Sequence, residues 1–364
     1  MFKSLINPVS TGKKLFLIFF IALMIFSCSK DDRRYKNYKT SNIHKPKAWG
    51  QLQTVYVFAD NDIWNKAKTV LEKSLAKVYF TTEDEKYFEV KRAEYKNIEQ
   101  FYKYNNLIFL ADLKSDGEVS DHVKSIMQQS TLDNVKTNGA GIYPTNNLWA
   151  NDQIVSFIIA DSPQNLTNII QLQNAKIFEI FKSKLYARIK ERVYRRDLYT
   201  AKAFSQLPWT MDITKNYILY KEGKGFTSFM NRIITKPDKY VSVYYEYMPQ
   251  NNVDEDWMRK MRAKIGLDYY EGDAIDSMFV NTQKDKIAGY DCYKMYGRWQ
   301  NTNYYIGGAF QCYAFYDEKN KIAYLIDNSV YYPDGYKLLS LIELEVMSNT
   351  FKIKNNIQTK GETK

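Results

Sequence analysis

The chain has 364 residues, 45% hydrophobic and 26% charged, with 52 Lys and Arg against 41 Asp and Glu. That length supports a large core, in one large domain or two of ordinary size. Of the formal charge of +11, residues 1–48 carry ten basic and two acidic side chains, so the remainder is nearly neutral and a nucleic-acid partner is not expected.

In chain order, Lys3, Lys13 and Lys14 precede an unbroken apolar run, Leu15 to Phe26, that ends at Ser27-Cys28. This is the layout of a secretory signal. A spanning helix needs about 20 apolar residues, and this run stops short of that at Ser29-Lys30-Asp31-Asp32. Ile25-Phe26-Ser27-Cys28 resembles the lipobox of bacterial lipoproteins, which implies cleavage after Ser27 and a diacylglyceryl group on Cys28. Ser29, Lys30, Asp31 and Asp32 resemble the export signal that carries many Bacteroidota lipoproteins to the outside of the outer membrane. The expected address is the outer membrane, lipid-anchored, with surface display favoured over the periplasmic face. Residues 28–48 read as a polar tether. Its lysines and arginines favour anionic headgroups by about 1 kcal/mol each.

Order is expected from Trp49. Four apolar runs of strand length are each followed by a turn signal and a helix-period segment: Thr54 to Ala59, Ile154 to Ala160, Tyr240 to Met248, and Tyr324 to Tyr332. Ser162-Pro163 opens the second helix, predicted as one piece to Asp197, and Asp334 is the expected cap of the last. That second helix carries Lys182, Lys184, Arg188, Lys190, Arg192, Arg195 and Arg196 opposite Ile177, Phe181, Leu185, Ile189 and Val193. This predicts a solvated basic face behind a packed one. Further strands are predicted at Asn106 to Leu113, Tyr217 to Lys221, Phe226 to Ile233 and through a meander from Tyr290 to Ile326. The sum is an α+β fold: mixed, mostly antiparallel sheets with packed helices. A weak break near Tyr199 to Pro208 divides it, and two strand-helix units on each side read as two similar halves. The expected organisation is a signal peptide over 1–27, the tether over 28–48, α+β halves over 49–200 and 201–355, and a polar tail over 356–364.

Cys292 and Cys312 flank a predicted hairpin. If its turn centres on Thr302, the two cysteines face each other and can form a disulfide. If Gly307-Gly308 bulges and shifts the register, they are two buried free thiols.

Catalytic chemistry finds little purchase. The two histidines, His44 in the tether and His122 beside Asp121 on a polar helix, lack partners at ligand spacing, so no metal or cofactor is expected. No nucleophile elbow appears, and Gly223-Lys224-Gly225 reads as a hairpin turn. The carboxylate pairs Asp60/Asp62 and Asp317/Glu318 sit where turns and caps favour Asp. The unusual feature is aromatic: 31 Tyr, 20 Phe and 6 Trp, with Trp299, Tyr304, Tyr305, Tyr331 and Tyr332 gathered near the C-terminus. These are candidate binding aromatics. The alternative, favoured by their alternation in strands, is that they form core.

The order of short motifs resembles a Bacteroidota lipoprotein family known only as a domain of unknown function (family 4837). The resemblance rests on Lys47-Ala48-Trp49-Gly50, Trp64, Asn105-Asn106-Leu107-Ile108, Trp149-Ala150-Asn151-Asp152-Gln153 and Leu207-Pro208. It continues through Arg298-Trp299, Gly307-Gly308-Ala309-Phe310, Val330-Tyr331-Tyr332-Pro333 and Lys337. The last helix departs from it, with Ile342-Glu343-Leu344-Glu345 where the family tends to show Arg-Gln-Leu-Glu. The resemblance implies an envelope lipoprotein of α+β fold and brings no activity. The expected function is a non-enzymatic binding or interaction module with an envelope protein or glycan as partner. Two alternatives are an enzyme acting on envelope or imported polymers through carboxylates, and a structural subunit of an outer-membrane assembly.

Overall fold

The computed structural model describes residues 45–354. Cys28, Ser29 to Asp32, His44 and the tail 356–364 lie outside the described residues.

The first half contains β1 (Thr54–Ala59), α1 (Asn61–Leu75), a hairpin of β2 (Val78–Phe80) and β3 (Asp84–Lys86), β4 (Glu89–Ala93) and the short α2 (Ile98–Phe101). It continues through β5 (Asn106–Asp112), α3 (Glu118–Ile126), α4 (Gln129–Asn138), β6 (Ala140–Asn146), β7 (Ile154–Ala160), α5 (Pro163–Leu172) and α6 (Asn174–Val193). Five strands form a sheet in the order β4-β1-β5-β7-β6. All neighbours are parallel except β6 with β7. Every residue of β5 and β7 is buried because helices cover both faces. Val55, Val57, Ile108 and Ile158 meet α1, α5 and α6, and Phe58, Phe109 and Phe157 meet α3 and α4. The edge strand β6 contains Pro144, which has no N–H to donate and is tolerated at an edge.

The second half contains β8 (Trp209–Thr210), β9 (Ile218–Gly223), β10 (Phe226–Asn231), β11 (Asp238–Tyr247), α7 (Glu255–Tyr269) and β12 (Ala274–Ile287). After these come β13 (Tyr290–Asn301), β14 (Ile306–Asp317), β15 (Ile322–Tyr331), α8 (Leu338–Ser348) and β16 (Lys352–Ile353). Its seven-stranded sheet, β12-β13-β14-β15-β11-β10-β9, is antiparallel throughout. One face packs on α7. The other packs on α8 and, through α6, on the first half, in a single core that contains Leu75, Phe178, Tyr313 and Phe351.

The class is α+β, and antiparallel pairing predominates. The halves are not copies of each other: one sheet is mostly parallel and the other antiparallel. The recurring strand-then-helix spacing that suggested duplication says nothing about strand direction, because a helix can return the chain to either kind of sheet. As expected, Lys224-Gly225 turns β9 into β10, with Gly225 at φ +69°.

The long basic helix is two helices, parted at Gln173, where ψ swings to 22° and the residue caps α5. Its solvated-face reading fails at Arg188, which is buried. The Arg188 guanidinium donates to Asn106 Oδ1 at 2.7 Å and to the carbonyls of Asn105 at 2.8 Å and Asp152 at 2.7 Å. The Ala48 N–H donates to the Asn151 carbonyl at 2.8 Å. Three separated motifs of the first half thus close one lock at the end of its sheet.

The disulfide is excluded. β13 continues to Asn301 and closes on Ile306, so the register places Met295, not Cys292, opposite Cys312. The offset of three residues is odd, and side chains alternate along a strand. Cys292 therefore enters the core between the halves and Cys312 the core beneath α7, both as free thiols.

The last helix also differs from expectation. Its N-cap is Lys337, not Asp334, and Glu85 from the β2–β3 hairpin accepts the N–H groups of Lys337 at 2.7 Å and Leu338 at 2.8 Å.

Candidate functional site: an aromatic cleft in the second half

On the α7 side of the large sheet, β9, β11, β13 and β15 each bring an aromatic residue to one end. Alternation along the strands places Tyr220, Tyr240, Trp299 and Tyr331 on this face. They line a cleft of about 300 Å³ with Tyr270 from the end of α7. Tyr220 and Tyr240 meet edge to face at 5.6 Å between centroids, Tyr220 stacks on Tyr270 at 6.3 Å, and Trp299 lies 6.2 Å from Tyr331. Gly308 lets the indole lie this close to the sheet: a Cβ there would sit 2.7 Å from the Trp299 ring and 2.1 Å from the Val330 carbonyl oxygen.

Polar groups rim the aromatics. Asn301 is the organiser: its Nδ2 donates to Asp273 Oδ1 at 2.9 Å and to the Glu271 carbonyl at 3.2 Å. Its Oδ1 accepts the N–H groups of Asn303 at 3.0 Å and Tyr304 at 3.2 Å. One side chain therefore fixes both the loop after α7 and the turn that presents Tyr304. At the opposite rim, Arg232 donates to Asp238 at 2.8 Å and to the Tyr240 hydroxyl at 3.1 Å.

Burial pushes the Asp273 carboxyl up from its usual range, although Asn301 and Arg262 pull the other way. Burial also raises the Tyr240 hydroxyl to about 12. The Tyr270 hydroxyl sits 2.7 Å from both Ser228 Oγ and Ser242 Oγ. Arg262 and Asp327 are fully buried, with Nε 2.7 Å from Oδ1. Burial raises the Asp327 carboxyl, and the Arg262 charge beside it pulls the other way.

Of the five aromatics singled out in the sequence, the structure brings Trp299, Tyr304 and Tyr331 together. Tyr305 sits at φ +56° in the turn, 94% exposed, and does not line the cleft. Tyr332 follows Tyr331 and so falls on the other face, against the core shared by the halves. Trp299 is core and cleft wall at once: it is 3% exposed, and its buried Nε1–H has no acceptor among the described residues. Sequence reading missed Tyr220, Tyr240, Arg232, Asp273 and Asn301. The tyrosines of β11 and Tyr220 of β9 were the available signal, but pairing across non-consecutive strands was not.

One member of each carboxylate pair noted in the sequence is engaged by its own fold. Asp60 accepts the N–H groups of Val119 at 3.0 Å and Ser120 at 3.2 Å at the start of α3, and Asp317 accepts from Lys319 and Asn320 in a turn. His122 is not on a polar surface. It is buried against Tyr95 and Phe109, and burial lowers its pKa to about 4. Among the described residues there is no cluster of three or more potential metal ligands, and no helix is long and apolar enough to cross a membrane.

Comparison with known proteins gives families without a function. Residues 198–350 match the family model described as Domain of unknown function (DUF4837), and residues 48–194 match Domain of unknown function (DUF8532). No curated protein matches the chain. Among solved structures, one from Bacteroides thetaiotaomicron is 14% identical over 41% of this chain, with a TM-score of 0.25. The match covers 46% of that protein. The Saccharomyces cerevisiae Ran-binding protein Mog1p is 10% identical, over 40% of this chain and 90% of its own length, with a TM-score of 0.27. LpqN, involved in cell envelope biogenesis of Mycobacterium tuberculosis, is 7% identical, over 40% of this chain and 82% of its own, also at 0.27. Likeness this slight transfers nothing about what those proteins bind.

Proposed function

For a chain whose two parts match families of unknown function, we propose a lipid-anchored lipoprotein of a Bacteroidota outer membrane, displayed on the surface, whose body is a non-enzymatic module that binds glycan in the aromatic cleft. The observation that carries the binding reading is the convergence of Tyr220, Tyr240, Tyr304 and Tyr331, all at least partly exposed, with Trp299 on one cleft. Tyrosine and tryptophan rings give apolar area for the C–H faces of a sugar ring. The amide of Asn301, the carboxyl of Asp273 and the guanidinium of Arg232 suit its hydroxyls. Cys28 and the Ser29 to Asp32 signal support the address.

The enzyme reading keeps one specific observation in its favour: Asp273, with its raised pKa, lies in this cleft. One experiment separates the two. Affinity electrophoresis of the full protein through gels containing surface or dietary polysaccharides should show retardation. Tyr304→Ala and Tyr331→Ala should each weaken it by about tenfold, as truncation at a binding hot spot does, and the polysaccharide should remain uncleaved. No retardation by any polysaccharide would sink the binding reading, while cleavage abolished in Asp273→Asn would replace it with the enzyme. In the same cells, Cys28→Ala should release the protein from the membrane; unchanged fractionation refutes the anchor.

A further inference from the structure

Residues at the end of β10 serve two faces. Arg232 belongs to the aromatic cleft, but its neighbours Asn231 and Ile233 line a second cleft of about 310 Å³ on the other side of the sheet. Its charged walls are Arg192 and Arg196 from the end of α6 and the residues after it, Lys236 and Lys239 from the β10–β11 connection and β11, and Glu343 from α8. Four cations thus face one carboxylate. Glu343 is already engaged, by Lys239 at 2.6 Å and by the Tyr217 hydroxyl at 3.0 Å. Arg192, Arg196 and Lys236 are exposed, and no ion pair satisfies them among the described residues.

The rim has the opposite character. Ile234 is 89% exposed and Ile233 is 40% exposed. The Lys236 N–H closes a turn on the Ile233 carbonyl that holds Ile234 at its tip. Aliphatic side chains held in water beside unpaired cations mark an interaction site. A soluble anion would satisfy the cations and leave the isoleucines exposed. A lipid phosphate satisfies both, since its charge lies beside its hydrocarbon.

We propose that this cleft binds the phosphate of an anionic lipid headgroup, with Ile233 and Ile234 against the glycerol and upper acyl region. The proposal is independent of the glycan reading, because it uses the other face of the sheet. The test is isothermal titration of the full chain in non-ionic detergent with dihexanoylphosphatidic acid, and separately with inorganic phosphate. The lipid should bind, and added NaCl should weaken it. The double variant Arg196→Ala, Lys236→Ala should lose about 30-fold in affinity. Both residues are exposed, so its thermal midpoint should match the parent. Ile234→Ser should weaken the lipid and leave inorganic phosphate unchanged. Equal binding of both probes with a silent Ile234→Ser would assign the cleft to soluble phosphate and overturn the lipid. Failure of both probes to bind at millimolar concentration, or indifference to the double variant, would overturn the site itself.

Discussion

Gly308 shows how much a single missing methyl group can decide. The Gly307-Gly308 pair was visible in the sequence, where a bulge at it was one of two alternatives for the hairpin. The structure gives Gly308 a different task. It lies in an unbroken ladder opposite Trp299, and hydrogen in place of Cβ lets the indole and the Val330 carbonyl close over it. Gly308→Ala must displace backbone, not only a flexible side chain. Overpacking of this kind costs about 1–3 kcal/mol. The expected result is a lower urea midpoint together with a blunted change in tryptophan fluorescence on glycan binding, since Trp299 is the side chain displaced. An alanine variant with unaltered midpoint and signal would show that the indole has room to move. Neither the cleft nor this contact could be read from the dipeptide, because the contact depends on the actual register of β13 on β14 and the cleft on β9 and β11 joining the same sheet.

Two helices take their caps from elsewhere. α3 starts at Gly117, which has no side chain to offer, and Asp60 from the end of β1 receives its first N–H groups. α8 starts at Lys337, and Glu85 receives its first two. A carboxylate at a helix N-terminus pairs with both the N–H groups and the dipole, whatever its position in the chain. Local reading therefore selected Asp334, which is close in sequence but does not cap. Replacing Glu85 by alanine should cost about 1–2 kcal/mol by equilibrium denaturation, with Asp334→Ala nearly silent; the reverse ranking would restore the local cap. The elements that were legible share a property: β1, β5, β7 and α1 bury regular apolar positions. β12 was not foreseen because, as an edge strand, it is mostly exposed and polar and leaves no alternation to read.

At the scale of the molecule, both halves share one core, since α6 and α8 lie between the sheets and Tyr79 of the first half donates to Gln311 of the second at 2.8 Å. Stability is then a property of the whole described chain, and so is its response to acid. His122 is held neutral down to about pH 4, against an ordinary value of 6.5. Below pH 6.5 the unfolded chain gains a proton that the folded one does not. Stability should therefore fall from pH 6.5 toward pH 4, with His122 contributing about 2–3 kcal/mol to the loss. In His122→Gln this part of the slope should disappear, leaving only that of the carboxylates. Urea titrations of both proteins from pH 7 to pH 4 check it, and parallel profiles would refute it. The class of fold was legible from spacing and burial, whereas the shared core was not, because nothing local says that the basic helix is a wall between two sheets.

The two thiols make the hairpin's register chemically visible. Cys292 and Cys312 occupy different layers of the folded chain. A slip of three residues in the β13–β14 hairpin would bring them face to face. A disulfide between them would therefore be a fingerprint of mispairing, trapped by oxidation before the strands settle. In the correct register the two thiols differ in access. A thiol reagent reaches the fully buried Cys312 only when α7 lifts, while Cys292 borders a cleft lined by Tyr293 and Phe315, so the labelling rate of Cys312 against that of Cys292 times the opening of α7.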